Sequence, residues 1–394
     1  MHDLPALEGA PAADGRRYGI LSTYPPTACG LATFTAALAG GLEQCGARDV
    51  GVVRIADGTG AAPDDRVVTE LRNGSLASIE AAAARLNMFD VVIMQHEYGL
   101  YGGRDGDEVL EILDRLTVPC MTVAHTVLRA PSRNQRAVLE AVVDASTRVV
   151  VMTEGARERL RLGYRVDPSK IERIPHGAST VLSSAEPLSA SEPGSTSPYV
   201  LTWGLLGPGK GIERVIDAMP HLQDIRPRVR YVVAGCTHPK VRAAEGERYR
   251  EMLVRRSWRN GTAGHVTFDA SYRDLPSLTN LLHGAAVVVL PYDSHDQATS
   301  GVLVDAVAAG RPVIATAFPH AIELLGTGAG IVVPHDDSIA LELAIRRVFC
   351  EPGLATAMAA ESARLAPELS WAAVAGRYDA IASGITTQLS TVAG

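Results

Sequence analysis

Residues 295–316 read HDQATSGVLVDAVAAGRPVIAT, a polar loop, a helix and a buried strand within one stretch. Pro291 ends the apolar run VVVL that precedes it, and the loop continues through Gln297. Thr299 and Ser300 are N-cap types, so the spacing predicts a helix from Gly301 to Ala309, closed by Gly310. The run PVIAT after Arg311 is short, apolar and β-rich, as a strand covered on both faces would be. A helix that opens on Ser-Gly offers unpaired backbone N–H groups and the positive end of its dipole, which suits an anion. Asp305 lies four residues beyond Gly301, one turn in, so both can face one cleft.

Working outward, apolar runs alternate with helical segments from Tyr18 to the C-terminus, the pattern of parallel α/β sheets. The first half has strands at 18–21, 49–55, 66–71, 90–95, 119–124 and 148–152. Helices are expected at 31–45, 76–87, 108–116, 135–145 and 153–162. The stretch 183–198, SSAEPLSASEPGSTSP, is a compositional break that reads as a linker. After it the alternation restarts with strands at 199–203, 229–235, 265–268, 286–291, 312–316 and 330–333. One charged helix is expected around 243–256. The expectation is two doubly wound, Rossmann-like domains facing a central cleft. Residues 1–190 form the first, with 1–16 as a loose tail, and residues 191–370 the second; 371–394 form a closing helix. In such sheets ligands gather at the carboxyl ends of strands.

Composition narrows the function classes. With 37 basic against 44 acidic residues, the formal net charge is −7, which disfavours a sequence-independent nucleic-acid binder. Only Lys170, Lys210 and Lys240 are lysines; all other basic residues are arginine. The five cysteines are scattered without C-x-x-C spacing, which points to a reduced, cytoplasmic protein without a cysteine-built metal site. No apolar run approaches the ~20 residues needed to cross a bilayer, which leaves only peripheral membrane contact open.

Several loops carry candidate chemistry. GLLGPGKG (204–211) follows a strand and precedes a helix. It falls one residue short of a P-loop, because Gly211 stands where the metal-binding hydroxyl would be. Its glycines allow close backbone approach, and Lys210 suits phosphate. Gly30 opens the first helix after STYPPTAC, another place for a diphosphate or sugar. His125 comes directly after a strand, as do His96 and Glu97. That pair lacks the spacing of a metal set, so polar contact with a substrate hydroxyl is the better reading. His176-Gly177 reads as a turn. Asp305 is suited to ribose hydroxyls.

These residues together resemble a retaining glycosyltransferase of family 4 with the GT-B fold, over nearly the whole chain. The pieces that carry the likeness are YPP-x-x-CG, TVAHT, IPHG, GPGKG and QATSGVLVDAVAAGRPVIAT. The resemblance implies transfer of a hexose, mannose or glucose, from a nucleotide-sugar to an acceptor hydroxyl without a metal or other cofactor. GDP-mannose is the favoured donor and UDP-glucose the next. It implies that His125 lies near the reaction centre and that Lys210 holds the diphosphate. It further implies amides of Ser300, Gly301 and Val302 on phosphate, Asp305 on ribose, and Gly30 where donor and acceptor meet. The donor sits on the second domain, and the last helix, from Trp371, crosses back to the first. Two positions depart from the family pattern: Gln297 replaces a glutamate on the donor sugar, and Leu205 replaces an arginine on the diphosphate. Arg129 and Arg133 are the candidates to replace that arginine. Two alternatives share this fold: a nucleotide-sugar 2-epimerase and an inactive nucleotide-sugar-binding protein.

Overall fold

The computed structural model describes residues 15–58, 60, 64–179, 197–271 and 273–393, with side chains described up to residue 387. The expected tail and the linker, with the boundary at 190, fall largely or wholly outside the described residues.

Two parallel sheets form the frame. The first has seven strands: β1 (Arg17–Ser22), β2 (Asp49–Ile55), β3 (Val67–Leu71), β4 (Val91–His96), β5 (Cys120–Ala124), β6 (Arg148–Val151) and β7 (Ile171–Arg173). The second has six: β8 (Tyr199–Trp203), β9 (Arg230–Ala234), β10 (Val266–Asp269), β11 (Val287–Leu290), β12 (Val313–Thr316) and β13 (Gly330–Val333). Their orders are β3-β2-β1-β4-β5-β6-β7 and β10-β9-β8-β11-β12-β13. Both reverse direction after the first strand, so each has a crevice at its carboxyl edge, between β1 and β4 and between β8 and β11. Helices cover both faces, which is why β4, β5, β8 and β12 are buried at every residue.

Caps set several helix starts. Ser132 accepts from Gln135 N–H at 3.1 Å, while Gln135 returns a bond to Ser132 N–H at 2.9 Å, so the helix Arg133–Ala145 begins with a capping box. Three details differ from the expectation. The charged helix is two, Pro239–Glu245 and Arg248–Arg259, because Gly246 has φ +65° and breaks the run. The helix expected at 108–116 is only Val109–Leu113, after a 3-10 turn at Arg104–Gly106. A further helix, Pro319–Leu325, follows β12.

The last helix, Trp371–Ala393, returns to the first domain. It lies on the helix Gly30–Gln44, where Gly41 allows the approach: a Cβ there would stand 2.9 Å from both Ala375 Cβ and the Trp371 carbonyl oxygen. Val374, Ala375, Tyr378 and Ile385 join the first domain's core. Burial of Val374 and Ile385 contributes about 1.5–3 kcal/mol each. Asp379 accepts from Tyr18 Oη at 2.5 Å and pairs with Arg16 at 2.7 Å. The chain's two crossings between domains also bond to each other, Ala178 N–H donating to the Leu369 carbonyl at 2.6 Å.

Candidate active site

The first domain contributes side chains at its strand ends. His96 closes β4, and His125 follows β5, with its N–H donating to the His96 carbonyl at 3.1 Å. His125 Nε2 meets Gln95 Oε1 in a very short contact. Gln95 Nε2 and His96 Nδ1 are buried without a partner among the described residues. Glu97 accepts from Tyr98 N–H at 3.1 Å and from Thr126 Oγ1 at 2.5 Å. Burial raises its pKa, opposed by those two hydrogen bonds and by the charge of Lys240.

Phe34, from the helix after β1, is the hub of an aromatic group. Its ring lies edge-on to His125 at 5.0 Å, to His176 at 5.1 Å and to Trp371 at 4.9 Å. His176 Nδ1 meets the Gly177 carbonyl at 2.6 Å, so Nδ1 carries the proton and Nε2 keeps its lone pair. That ring rests on Gly301, where a Cβ would come within 2.9 Å of Cε1. Burial lowers four histidines. His125 falls to about 3, with His176 and His96 adding, and His320 to about 3, with His176 adding; His96 and His176 fall to about 4. At neutral pH this group is uncharged.

The second domain contributes mainly backbone. Gly204, Gly211 and Gly235 have φ of +119°, +63° and +134°. A Cβ on Gly235 would stand 1.9 Å from the Gly204 oxygen, and one on Gly211 1.8 Å from the Pro291 oxygen. The ends of β8, β9 and β11 are thus packed backbone against backbone, which only glycine permits. Lys210 Nζ lies 4.3 Å above the Tyr292 ring, a cation–π contact.

The helix Gly301–Ala308 starts as the sequence predicts, with Ser300 Oγ accepting from Leu303 N–H at 3.3 Å. One detail is corrected. Ser300 N–H is engaged, donating to His320 Nδ1 at 2.9 Å, so it is not available to a ligand. The N–H groups of Gly301 and Val302 have no intrahelical acceptor. Asp305 Oδ1 accepts from Ser179 N–H at 2.8 Å, tying the helix to the interdomain crossing. Gln297 Nε2 donates to the Thr299 carbonyl at 3.2 Å.

Between the domains lies a cavity of about 520 Å³, within the size range of small-molecule sites. Thr33, Ala36 and Ala37 form its first-domain wall; Trp203, Gly204 and Gly235 lie across from them, with Arg273 and Asp274 at one side. Asp305 borders it, as does Leu205. His125, His96, Glu97, Lys210 and Gln297 do not; His125 and His176 gather instead around Phe34. Gly30 faces open space at the start of its helix, where a Cβ would meet nothing within 4 Å. Arg129 pairs with Asp296 of the other domain at 3.4 Å, and Arg133 is exposed at its helix start, so neither borders the cavity in place of Leu205.

Arg273 is the cation on the wall, and sequence reasoning passed over it. The available signal was its place in the loop after β10, at a strand's carboxyl end. Its guanidinium bonds Asp269 through Nε at 3.0 Å. Among the described residues no group of three His, Cys, Asp or Glu side chains could hold a metal. No helix among them is long and apolar enough to cross a membrane.

Residues 187–364 match the model of the family described as glycosyl transferases group 1. Two relatives, each named D-inositol 3-phosphate glycosyltransferase, resemble longer stretches. The one from Segniliparus rotundus is 27% identical over 52% of this chain and 47% of its own. The one from Kineococcus radiotolerans is 26% identical over 66% of this chain and 65% of its own. The chain thus matches about half to two thirds of their length. Among solved structures, sucrose-phosphate synthase from Thermosynechococcus elongatus superposes with a TM-score of 0.71 at 18% identity, covering 95% of this chain and 100% of that one. Anabaena HepE, in complex with UDP and glucose, gives 0.71 at 16% identity, covering 94% and 100%. The fold is GT-B.

Proposed function

We propose that the chain transfers a hexose from a nucleotide-sugar to an acceptor hydroxyl, with retention at the anomeric carbon and without a metal. The observation that carries this reading is the position of Asp305. It borders the interdomain cavity one turn inside a helix whose first two N–H groups have no intrahelical acceptor. In this arrangement the nucleoside occupies the cavity beside Arg273 and Asp274, and Asp305 bonds the ribose hydroxyls. The diphosphate meets the amides of Gly301 and Val302 at the positive helix end, without Ser300 N–H. Lys210 leaves the Tyr292 face to reach it, giving up a contact of about 0.5–1 kcal/mol for a stronger charge pair.

Transfer then depends on charge stabilisation of the leaving diphosphate, an effect on the order of 10²–10³ in rate per donor lost. His125, uncharged and braced by Gln95 and Phe34, contacts the sugar rather than competing with Lys210 as a cation. Gln297 can bond the sugar hydroxyls with either end of its amide once released from Thr299. The acceptor comes from the first-domain wall. GDP-mannose and UDP-glucose remain the donors to test. Anabaena HepE, which shares this fold, was solved with UDP and with UDP-glucose, which supports including the uridine donor in that test.

A melting-temperature panel with GDP, UDP, ADP and dTDP tests the donor half. One nucleotide should raise the midpoint appreciably, and no shift with any of them contradicts the reading. Turnover unchanged by EDTA is expected from the metal-free mechanism.

A further inference from the structure

The first domain's side of the cleft, outside the cavity just described, carries an observation that the reading above does not use, and it concerns the acceptor. The end of β4 and the residues beyond it place three polar groups in succession. Among the described residues Gln95 has a buried amide nitrogen without a partner, His96 a buried, neutral imidazole nitrogen without a partner, and Glu97 a half-buried carboxylate. Thr126, next to His125, donates its hydroxyl to that carboxylate at 2.5 Å, and Tyr98 N–H donates at 3.1 Å. Two donors fix the carboxylate and leave it further acceptor capacity.

Three arginines of this domain are engaged elsewhere. Arg54 pairs with Asp57 and Glu70 at 2.9 and 2.7 Å. Arg159 donates to the Val127 carbonyl at 2.8 Å, and Arg129 pairs with Asp296. The cation that faces Glu97 is Lys240, exposed on the opposite domain, with Nζ 4.0 Å from where a Cβ on Gly99 would lie. An exposed lysine is strongly hydrated and screened, so it only partly offsets a half-buried carboxylate.

We propose that Glu97 sets the charge of the acceptor: this side of the cleft takes an uncharged, hydroxyl-rich acceptor and turns away a phosphomonoester. A sugar hydroxyl can donate to Glu97. A phosphate dianion can only accept, and would stand against a fixed negative charge.

The inference rests on the glycosyltransferase reading, and the test separates the two. With the donor found by the nucleotide panel, kcat/KM is measured for neutral acceptors (common mono- and disaccharides and inositol) and for the phosphomonoester of each. The proteins are the wild type, Glu97→Gln and Thr126→Val. The wild type should prefer neutral acceptors by about 100-fold, and Glu97→Gln should narrow that preference by about tenfold, the size expected for removing one close like charge. Thr126→Val removes a hydrogen bond but keeps the charge, so it should hold the preference within about threefold even if all its rates fall. Equal use of phosphorylated and neutral acceptors by the wild type overturns the inference, as does a preference unmoved in Glu97→Gln; both leave the transferase reading intact, since sugar still moves. Absence of transfer to every acceptor overturns that reading and this inference together.

Discussion

The carboxyl edges of the two sheets can be compared position by position, because both sheets run their strands in the same order. In the first domain, β4 and β5 end in His96-Glu97 and His125-Thr126, all side chains with something to donate or accept. In the second, the loop after β8 opens on Gly204, β9 is followed by Gly235, and the residue after Pro291 is a tyrosine that carries Lys210 on its face. The second domain presents main-chain N–H groups and a helix dipole; the first presents neutral rings and one carboxylate. The difference fits a division of labour. Phosphates need backbone approach at short range and no competing anion, whereas hydroxyls need directional groups that both donate and accept.

That division can be broken most severely at the glycines. Gly235→Ala puts a methyl 1.9 Å from the Gly204 oxygen at a φ of +134°, so β8 and β9 must separate. Nucleotide affinity, measured by calorimetry, should fall by about 100-fold or more in a protein that keeps its far-UV circular dichroism. Affinity within threefold of wild type would show that the backbone junction does not shape the donor site. Asp305→Ala should cost less, about 10- to 100-fold in nucleotide affinity, by loss of two ribose bonds. An unchanged Kd would remove Asp305 from the donor site.

The opposite signature is expected from the first domain. His125→Ala should lower kcat by about 100-fold while nucleotide affinity stays within about twofold, since the ring borders Phe34 and Gln95 rather than the cavity. A parallel loss of both would erase the contrast between the domains.

A smaller effect concerns acid stability. His96 and His320 are 1% and 5% exposed, with pKa lowered to about 4 and about 3. Between those values and the ordinary value of about 6.5, the unfolded chain binds protons that the folded chain refuses. Stability is therefore full above about pH 6.5 and declines as pH falls, by at most about 1.4 kcal/mol per unit for each histidine. Urea unfolding at pH 7 and pH 5 checks the sign, and His320→Asn, which can still accept from Ser300 N–H, should flatten the slope. A slope equal to wild type would exclude His320 as a source.

The smallest effect concerns the junction where Gly177 meets Trp371. A Cβ on Gly177 would stand 2.4 Å from the Trp371 ring, so Gly177→Ala should destabilise by about 1–3 kcal/mol through overpacking, read from the same urea curves.

Much of this arrangement was legible in the chain. The end of β5 announces itself because that strand is buried on both faces and mostly apolar, and a charged-type side chain, His125, follows it directly. The helix at Gly301 was legible from Ser300 and Gly310, since caps are local chemistry. The engagement of Ser300 N–H was not, because its acceptor, His320, lies 20 residues on and meets it only through packing. Arg273 was hidden for a related reason: its loop follows a short, partly exposed strand, and what makes it a wall residue is the opposite domain. Phe34 reads as an ordinary core aromatic; only the return of Trp371 makes it a hub. Contacts across the cleft follow from how the two domains meet, and no local pattern records that.

The most direct test of the account is to incubate the protein with its matched nucleotide-sugar, with and without neutral sugar acceptors. Nucleoside diphosphate release and the product's anomeric configuration are then followed by NMR. The account predicts release that rises with acceptor and a new glycosidic bond with the donor's configuration. Inverted product would contradict the retaining mechanism, and donor epimerised without acceptor would contradict transfer itself.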